Sequence, residues 1–575
     1  MIASSSSLTA LTPTSSIRDQ NPPIVSFVGR PGDLRKGLTS FLDALVVITD
    51  LSGVPPFAIW LIGGSPSESE AIHGLVSTRP RLASAWREGS LVIWGRVARE
   101  ALPELYARSS LVVMPSKREQ FGLVGVEAMM CGSPVVATAV GGLADIVLNG
   151  HTGTLVVPSS TPALANAIVG YLRNRDRSGR EGANGARWCR FAFSRDGSCR
   201  RIAATYLGAP SQLAFPTRSD LRKLEIAELL AAFSTLGEPP HGFEDCSSSD
   251  HTSGVVTTSS GRYFCKWYRP ERSDHVSTLP VSPALRRERT WEDCAARLRF
   301  YGATDLVPGV IRLPEAGLPL AIFNAHPPAP LREVAAEKAI ARLARHFRAI
   351  RPLDSTDPSA ARYLAALARV ASRPDLQRVE EHDLAAAALN AQIFDCAPTF
   401  HQVHPHVELI RMRALLAQGA WAVEAEVRER LTGAMSVALD WIAFPVRVPA
   451  LCHGSLKPQH LLAGPRGKLL ACDTDNSRYV VGPFDEVHDV WYRVRDGSIN
   501  VEEALATLSR AVPIETDLAV AWLLVYVVFA TLLAVSCGCD VRQSRLLEFC
   551  RDFGSVFPLV HSVTKNRGTP ATDRR

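Results

Sequence analysis

Two glutamates, Glu119 and Glu127, lie on either side of a glycine in the stretch K-R-E-Q-F-G-L-V-G-V-E-A-M-M-C-G-S-P-V-V-A-T-A-V-G-G, residues 117–142. Glu119 falls on a loop with Phe121 and Gly122, and Glu127 falls inside a helix predicted over residues 123–131. A helix that begins beside Gly122 and Leu123 points unpaired N–H groups and the positive end of its dipole off its first turn, which suits a phosphate. Carboxylates on both sides of such an anion site suit a ligand with hydroxyls on both sides of its phosphates, which describes a nucleotide sugar. Two glutamates at this spacing are, by themselves, more often solvated helix carboxylates. Their flanking strands and glycines reverse that balance.

Those flanking elements must position the pair. Residues 111–114 form an apolar run too short for a helix and rich in β-branched side chains, hence a buried strand, which Pro115 and Ser116 end. Gly132 and Pro134 stop the helix, and a second buried strand over 134–138 runs into Gly141 and Gly142. Strand, loop, helix, strand and loop in this order predict a parallel α/β sheet whose loops gather at one edge. Upstream, the strand Ile24–Val28 leads into Gly29, Arg30, Lys36 and a helix over 38–48. The strand Ala58–Ile62 ends in Gly63 and Gly64, and a strand over 91–94 ends in Gly95, Arg96 and Val97. A short amphipathic helix over 102–108 precedes the central strand. Residues 145–158 read as helix, turn at Asn149-Gly150 and strand, and a helix over 162–173 closes the unit.

The segment E-Q-F-G-L-V-G-V-E-A-M resembles the E-x7-E signature of retaining GT-B glycosyltransferases, family 4 in particular. The resemblance covers about residues 24–206. It implies that Glu119 contacts the transferred sugar, that Glu127 contacts the ribose, and that amides of the loop at Phe121, Gly122 and Leu123 hold the diphosphate. It also implies that Arg30 and Lys36, after Gly29, neutralise the leaving diphosphate, and that the base lies against backbone near Gly95 and Val97. Fixed cations aimed at developing negative charge lower a barrier, Arg as a bidentate grip and Lys as a point charge. The catalytic set so implied is Arg30, Lys36 and Glu119, with no metal in this unit. The family's other half, which holds the acceptor, has no counterpart here, because only about twenty residues precede the first strand, too few for an α/β domain. The expectation is a separate chain that supplies that wall, or a start further upstream.

Composition bounds the rest. A chain of 575 residues with 46% hydrophobic and 21% charged residues is ordinary for a globular protein of two to four domains. The net charge of +6 is small for this length, and no Lys/Arg cluster alternates with aromatics, so nucleic acid is not expected as a partner. Twelve cysteines without a C-x-x-C pair read as reduced, mostly buried thiols of a cytoplasmic protein, peripheral to a membrane at most. Residues 518–535 are uncharged and just long enough to span a bilayer, but the absence of flanking basic anchors favours a core helix.

A second unit follows a linker over 208–220. Its readings are a helix over 221–233, a hairpin over 255–268 that carries Lys266 on its second strand, a charged helix over 284–298 with Glu288, and a basic amphipathic helix over 335–350. Residues 358–439 are helical in period, which makes a small β-containing lobe on a larger helical one. Near the end, L-C-H-G-S-L-K-P-Q-H-L-L over 451–462, L-L-A-C-D-T-D over 469–475 and G-P-F-D over 482–485 resemble the catalytic loop and metal segment of aminoglycoside phosphotransferases and choline kinases. The resemblance implies that Lys266 holds nucleotide phosphates, that Glu288 pairs with Lys266, that Asp473 binds the metal of an ATP/Mg site, and that His453 and Asp485 are structural. Two positions depart from the pattern: Ser455 stands where the family has its proton-accepting Asp, and His460 where it has a metal-binding Asn. Serine cannot act as that base, a loss of about 10²- to 10⁴-fold, and imidazole is a poor exchange for oxygen on Mg²⁺. A zinc pair of His453 and His460 lacks further ligand spacing.

The expected fold is an α/β Rossmann-like GT-B donor half over 23–207, followed by an α+β protein-kinase-like, aminoglycoside phosphotransferase-like domain over 221–560, with disordered tails over 1–22 and 561–575. The expected function is retaining transfer from a UDP- or GDP-type sugar to an unidentified acceptor, without a cofactor. Two alternatives stay open: a non-catalytic regulatory fusion with a pseudokinase domain, and a small-molecule phosphotransferase.

Overall fold

The computed structural model describes residues 22–193, 218–246, 252–268, 291–315, 318, 320–330, 333–394, 403–474, 477–537 and 540–567. The tail up to residue 21, residues 208–217 of the expected linker, and Glu288 lie outside the described residues.

The first unit is built on strands β1 (Ile24–Val28), β2 (Ala58–Ile62), β3 (Leu91–Gly95), β4 (Leu111–Met114), β5 (Val135–Thr138) and β6 (Gly153–Val156). All neighbours pair in parallel, in the order β3-β2-β1-β4-β5-β6. β1 is therefore flanked by β2 on one side and β4 on the other, and the direction of winding reverses between β1 and β4. In such sheets the crevice outside the carboxyl ends at the reversal is the binding site. The strands read as near-continuous apolar runs because helices cover both faces: α1 (Leu38–Thr49) and α7 (Thr161–Arg173) pack with Val25, Leu61 and Val113 on one side, while α5 (Leu123–Met130) packs with Val112 and Val135 on the other.

Elements that lack a clean apolar period escape the sequence reading. Helices α2 (Pro66–Ser77) and α3 (Pro80–Arg87) are largely polar, and α2 is fixed by a capping box between Ser65 and Glu68. Helix α8 (Arg175–Ala192) carries Gly179, Gly182 and Gly185 and still forms, because Gly185 lets it close on Met129 and because its Glu181 pairs with Arg177 and accepts from Tyr171 of α7. Between α4 (Leu102–Arg108) and the edge strand β6, α6 runs over Gly142–Ile146, earlier than the helix expected from residue 145.

The second unit opens with helix α9 (Arg218–Ser234) and a five-stranded antiparallel sheet, order β10-β11-β9-β8-β7, of β7 (Gly242–Asp245), β8 (Thr252–Thr257), β9 (Arg262–Trp267), β10 (Val310–Arg312) and β11 (Leu320–Asn324). Helix α10 is described from Trp291 to Gly302, later than the reading over 284–298, whose first residues lie outside the described set. The chain after β11 pairs with the helical lobe: Ala329 N–H donates to Leu461 O and Ala463 N–H to Pro327 O, both at 2.9 Å. That lobe contains α11 (Glu333–Ile350), α12 (Pro358–Ser372), α13 (Leu376–Phe394), α14 (Pro405–Ala417), α15 (Ala425–Trp441), α16 (Phe484–Asp496), α17 (Val501–Ala511), α18 (Thr516–Cys537) and α19 (Asp540–Arg567). Two short antiparallel ribbons, β12 (Ala450–Cys452) with β15 (Arg478–Val480) and β13 (Leu461–Ala463) with β14 (Leu469–Ala471), pack beside α11. The last helix runs to Arg567, past residue 560, where the sequence suggests a tail.

Among the described residues, α18 is the one helix long and apolar enough to cross a bilayer. Ala519 to Val525 are all buried, and the Trp522 indole N–H donates to Val481 O at 2.9 Å, so its apolar surface is spent on the core. It also packs against α7, which joins the two units. At that joint the Asn166 amide exchanges two hydrogen bonds with the backbone of Ala422, at 2.8 and 3.0 Å, and the Arg173 guanidinium reaches Ala420 O at 2.9 Å.

Candidate active site

The loops at the carboxyl ends of the strands converge into one rim. Gly29 N–H donates to Ile62 O, Gly63 N–H to Gly95 O, and Lys117 N–H to Arg35 O, at 3.0, 2.7 and 2.7 Å. Two glycines make the closeness possible. A Cβ at Gly63 (φ 117°) would lie 2.1 Å from Gly29 O, and one at Gly141 (φ 47°) would lie 1.9 Å from Glu119 O. No other residue fits either place.

On this rim the sequence-predicted cation and carboxylate meet: Lys36 Nζ donates to Glu119 Oε2 at 2.6 Å. They are 83 residues apart in sequence and come from the loops after β1 and β4, the two strands that flank the reversal. Their side chains are 28% and 11% exposed, so the pair is shielded yet reachable. Arg30 is exposed on the first of these loops, and its charge helps to hold the Glu68 carboxyl down, after the larger contribution of hydrogen bonds at Ser65.

Helix α5 starts at Gly122, which adopts φ 95° and has no side chain to cap the first turn. The N–H groups of Gly125 and Val126 are bonded back to Gly122 O, which leaves those of Leu123 and Val124 at the mouth. Phe121 and Leu123 are exposed beside them. One turn along, half-buried Glu127 accepts a hydrogen bond from the Tyr106 hydroxyl at 3.0 Å. Burial and then the Glu127 charge push the Tyr106 hydroxyl far above its ordinary pKa, so it remains a donor. Tyr106 was not among the sequence candidates; it lies in an ordinary amphipathic helix, and nothing local marks it as the partner of Glu127. At the far end of the rim Gly95 keeps φ 62°, and Val97 packs on the apolar cluster that includes Ile62 and Leu105.

A second group of predicted residues gathers between the five-stranded sheet and the helical lobe. Lys266 Nζ, on β9, donates to Asp473 Oδ1 at 2.7 Å, and His460 Nε2 faces Asp473 Oδ2 at 3.7 Å. Asp473 itself has φ 66°. Burial opposes its ionisation, but the Lys266 ammonium holds its carboxyl far below the usual range. Burial lowers the His460 imidazole to about 4, against the pull of Asp473. Its Nδ1 lies 2.7 Å from Ser455 O, and since a carbonyl only accepts, Nδ1 carries the hydrogen and Nε2 the lone pair. Ser455 is buried and donates to Asp473 O at 3.3 Å. Asp485 accepts from the backbone N–H of His453 and of Gly454, both at 2.9 Å. Among the described residues no group of three or more His, Cys, Asp or Glu side chains is placed to hold a metal ion.

The comparisons concern the first unit. Residues 22–174 match the family model described as Glycosyl transferases group 1. The D-inositol 3-phosphate glycosyltransferase of Gordonia bronchialis is 32% identical over 221 residues, 38% of this chain and 46% of that protein. The alpha-maltose-1-phosphate synthase of Mycolicibacterium smegmatis is 33% identical over 187 residues, 31% of this chain and 45% of its own. Among solved structures, HepE of Anabaena in complex with UDP is 28% identical over 36% of this chain and 53% of that one, with a TM-score of 0.29. The chain thus spans less than half the length of these two curated relatives. Over residues 22–174, which contain the whole six-stranded sheet, this chain is similar to the group 1 glycosyl transferases.

Proposed function

We propose that the first unit binds a sugar esterified to a nucleoside diphosphate and transfers the glycosyl group, with retention, to an acceptor yet to be identified. The observation that carries this reading is the Lys36–Glu119 pair beside the uncapped start of α5, with Glu127 one turn further on. The similarity of residues 22–174 to the group 1 family model supports it. Lys36 has three N–H bonds; one serves Glu119, and the others can meet a diphosphate together with Arg30 and the amides of Leu123 and Val124. Positive charge fixed in this way stabilises the leaving diphosphate without a metal. Glu119, oriented by Lys36, accepts from sugar hydroxyls, and Glu127, oriented by Tyr106, accepts from the ribose. The test is a thermal-shift series with UDP- and GDP-sugars: a rise in Tm that Lys36→Ala with Glu127→Ala abolishes supports the reading, and no rise with any nucleotide sugar overturns it.

A second reading applies to the other cleft, and the Lys266–Asp473 ion pair between a β lobe and a helical lobe favours it. Under it the second unit has a kinase-like fold and binds a nucleotide, while buried Ser455 at the position of the base leaves it a regulatory pseudokinase rather than an active phosphotransferase. ATP-dependent phosphorylation of a small molecule, lost in Asp473→Ala, would restore the phosphotransferase alternative.

A further inference from the structure

The kinase-like resemblance implies a Mg²⁺ ion between the nucleotide phosphates and the protein, and the side chains at Asp473 do not fit one. Mg²⁺ demands a near-octahedral shell of oxygens, usually one or two carboxylates with water and phosphate. Here one oxygen of Asp473 is taken by Lys266 at 2.7 Å, and the other faces a ring nitrogen, His460 Nε2, at 3.7 Å. Imidazole belongs with softer ions. The Ser455 hydroxyl is turned to Asp473 O, and no third metal-ligating side chain joins the group among the described residues.

Positive charge is nevertheless present, on lysines. Lys266 enters from β9 with its side chain 10% exposed. Lys457 stands on the same loop as Ser455 and His460, half-buried, with Nζ 5.1 Å from the centre of the Tyr492 ring and 3.5 Å from its hydroxyl. The ring restrains the long lysine side chain, and its negative face suits the ammonium. Lys457 is also close enough for its charge to add to burial in keeping His460 neutral. One ammonium group thus meets Asp473 from the β lobe, and a second stands near His460 on the helical lobe.

We infer that this cleft binds a nucleoside di- or triphosphate without a divalent cation, with Lys266 and Lys457 in the charge-neutralising role that a metal would fill. The inference rests on the second reading above. Ammonium–phosphate hydrogen bonds are charge-assisted and about twice as strong as neutral ones, enough to hold a diphosphate when two converge. On this inference Mg²⁺ adds nothing, because the His460 ring, held by Ser455 O at Nδ1, turns a nitrogen rather than an oxygen toward Asp473 Oδ2.

The experiment is calorimetric titration of the full chain with ADP and ATP, in EDTA and in MgCl₂, with saturating UDP to occupy the other site. The expected result is a Kd in EDTA within about threefold of that in MgCl₂, weakened about tenfold or more by Lys266→Ala and by Lys457→Ala. Lys457→Ala removes a partly exposed residue, so it reports on binding even if Lys266→Ala fails to fold. His460→Asn, which places an amide oxygen beside Asp473, is expected to make binding tighten about tenfold on adding Mg²⁺. Binding by the wild-type chain that requires Mg²⁺ overturns the inference while the nucleotide reading stands; no binding in either buffer overturns both. ADP binding that neither lysine variant weakens also overturns it.

Discussion

Replacing Lys36 with Ala separates binding from folding at the first site. The lysine is shared between Glu119, at 2.6 Å, and the space before α5. For stability the pair matters little, since an ion pair with one partner 28% exposed contributes about 0–1 kcal/mol. For a diphosphate the loss is larger. One charge-assisted hydrogen bond contributes about 1.5–3 kcal/mol, which is about 10- to 150-fold in Kd. The variant also leaves the Glu119 carboxylate, 11% exposed, without its lysine and facing the incoming phosphates. Lys36→Ala with Glu119→Gln removes that repulsion and is expected to recover part of the UDP affinity, a non-additivity that a purely local contact would not give. The assay is calorimetric titration with UDP and UDP-sugars, and thermal unfolding without ligand as the folding control. A Lys36→Ala chain that binds within about twofold of the wild type would refute the reasoning.

Other outcomes follow from the same geometry. Gly141→Ala puts a Cβ 1.9 Å from Glu119 O, so the loop at residues 119–122 must move; the expected result is a nucleotide-sugar affinity at least about tenfold weaker with a stability loss of only about 1–3 kcal/mol, read by titration and urea unfolding. Asn166→Ala deletes both hydrogen bonds to Ala422 at the buried joint and is expected to cost about 2–4 kcal/mol and to split one unfolding transition into two, visible by calorimetry. Burial holds the imidazoles of His406 and His460 at about 4 instead of 6.5. The unfolded chain therefore binds more protons in that interval, so stability is full above about pH 6.5 and falls as pH drops toward about 4, by up to about 3 kcal/mol for each of the two. A urea midpoint unchanged between about pH 7 and about pH 5 would contradict this.

Much of the first unit was legible because its strands are buried on both faces. Val-, Ile- and Leu-rich runs such as Leu111–Met114 admit one reading, and the glycines after them mark turns at one edge. The motif spacing placed Glu119 and Glu127 correctly on a loop and in a helix, but not their partners. That Lys36 pairs with Glu119 rather than standing free, and that Tyr106 donates to Glu127, depends on which strands are neighbours, and a single sequence does not encode strand order in its local pattern. Likewise Lys266 and Asp473 are 207 residues apart and meet only because two lobes face each other. The glycine-bearing, charged stretch of α8 carries no clean apolar period to read; its polar contacts with Tyr171 and its close approach to Met129 make it a helix against its propensity. The uncharged run within α18 was ambiguous by composition alone, and packing against α7 and Val481 decides for core.

The most direct test is to locate a bound UDP-sugar by crystallography of the full chain. The account predicts the diphosphate within about 3 Å of Lys36 Nζ and of the Leu123 and Val124 amides, with the ribose hydroxyls on Glu127 and the sugar ring beside Glu119. A nucleotide found only in the cleft at Lys266, or one on the rim whose sugar points away from both glutamates, would contradict it.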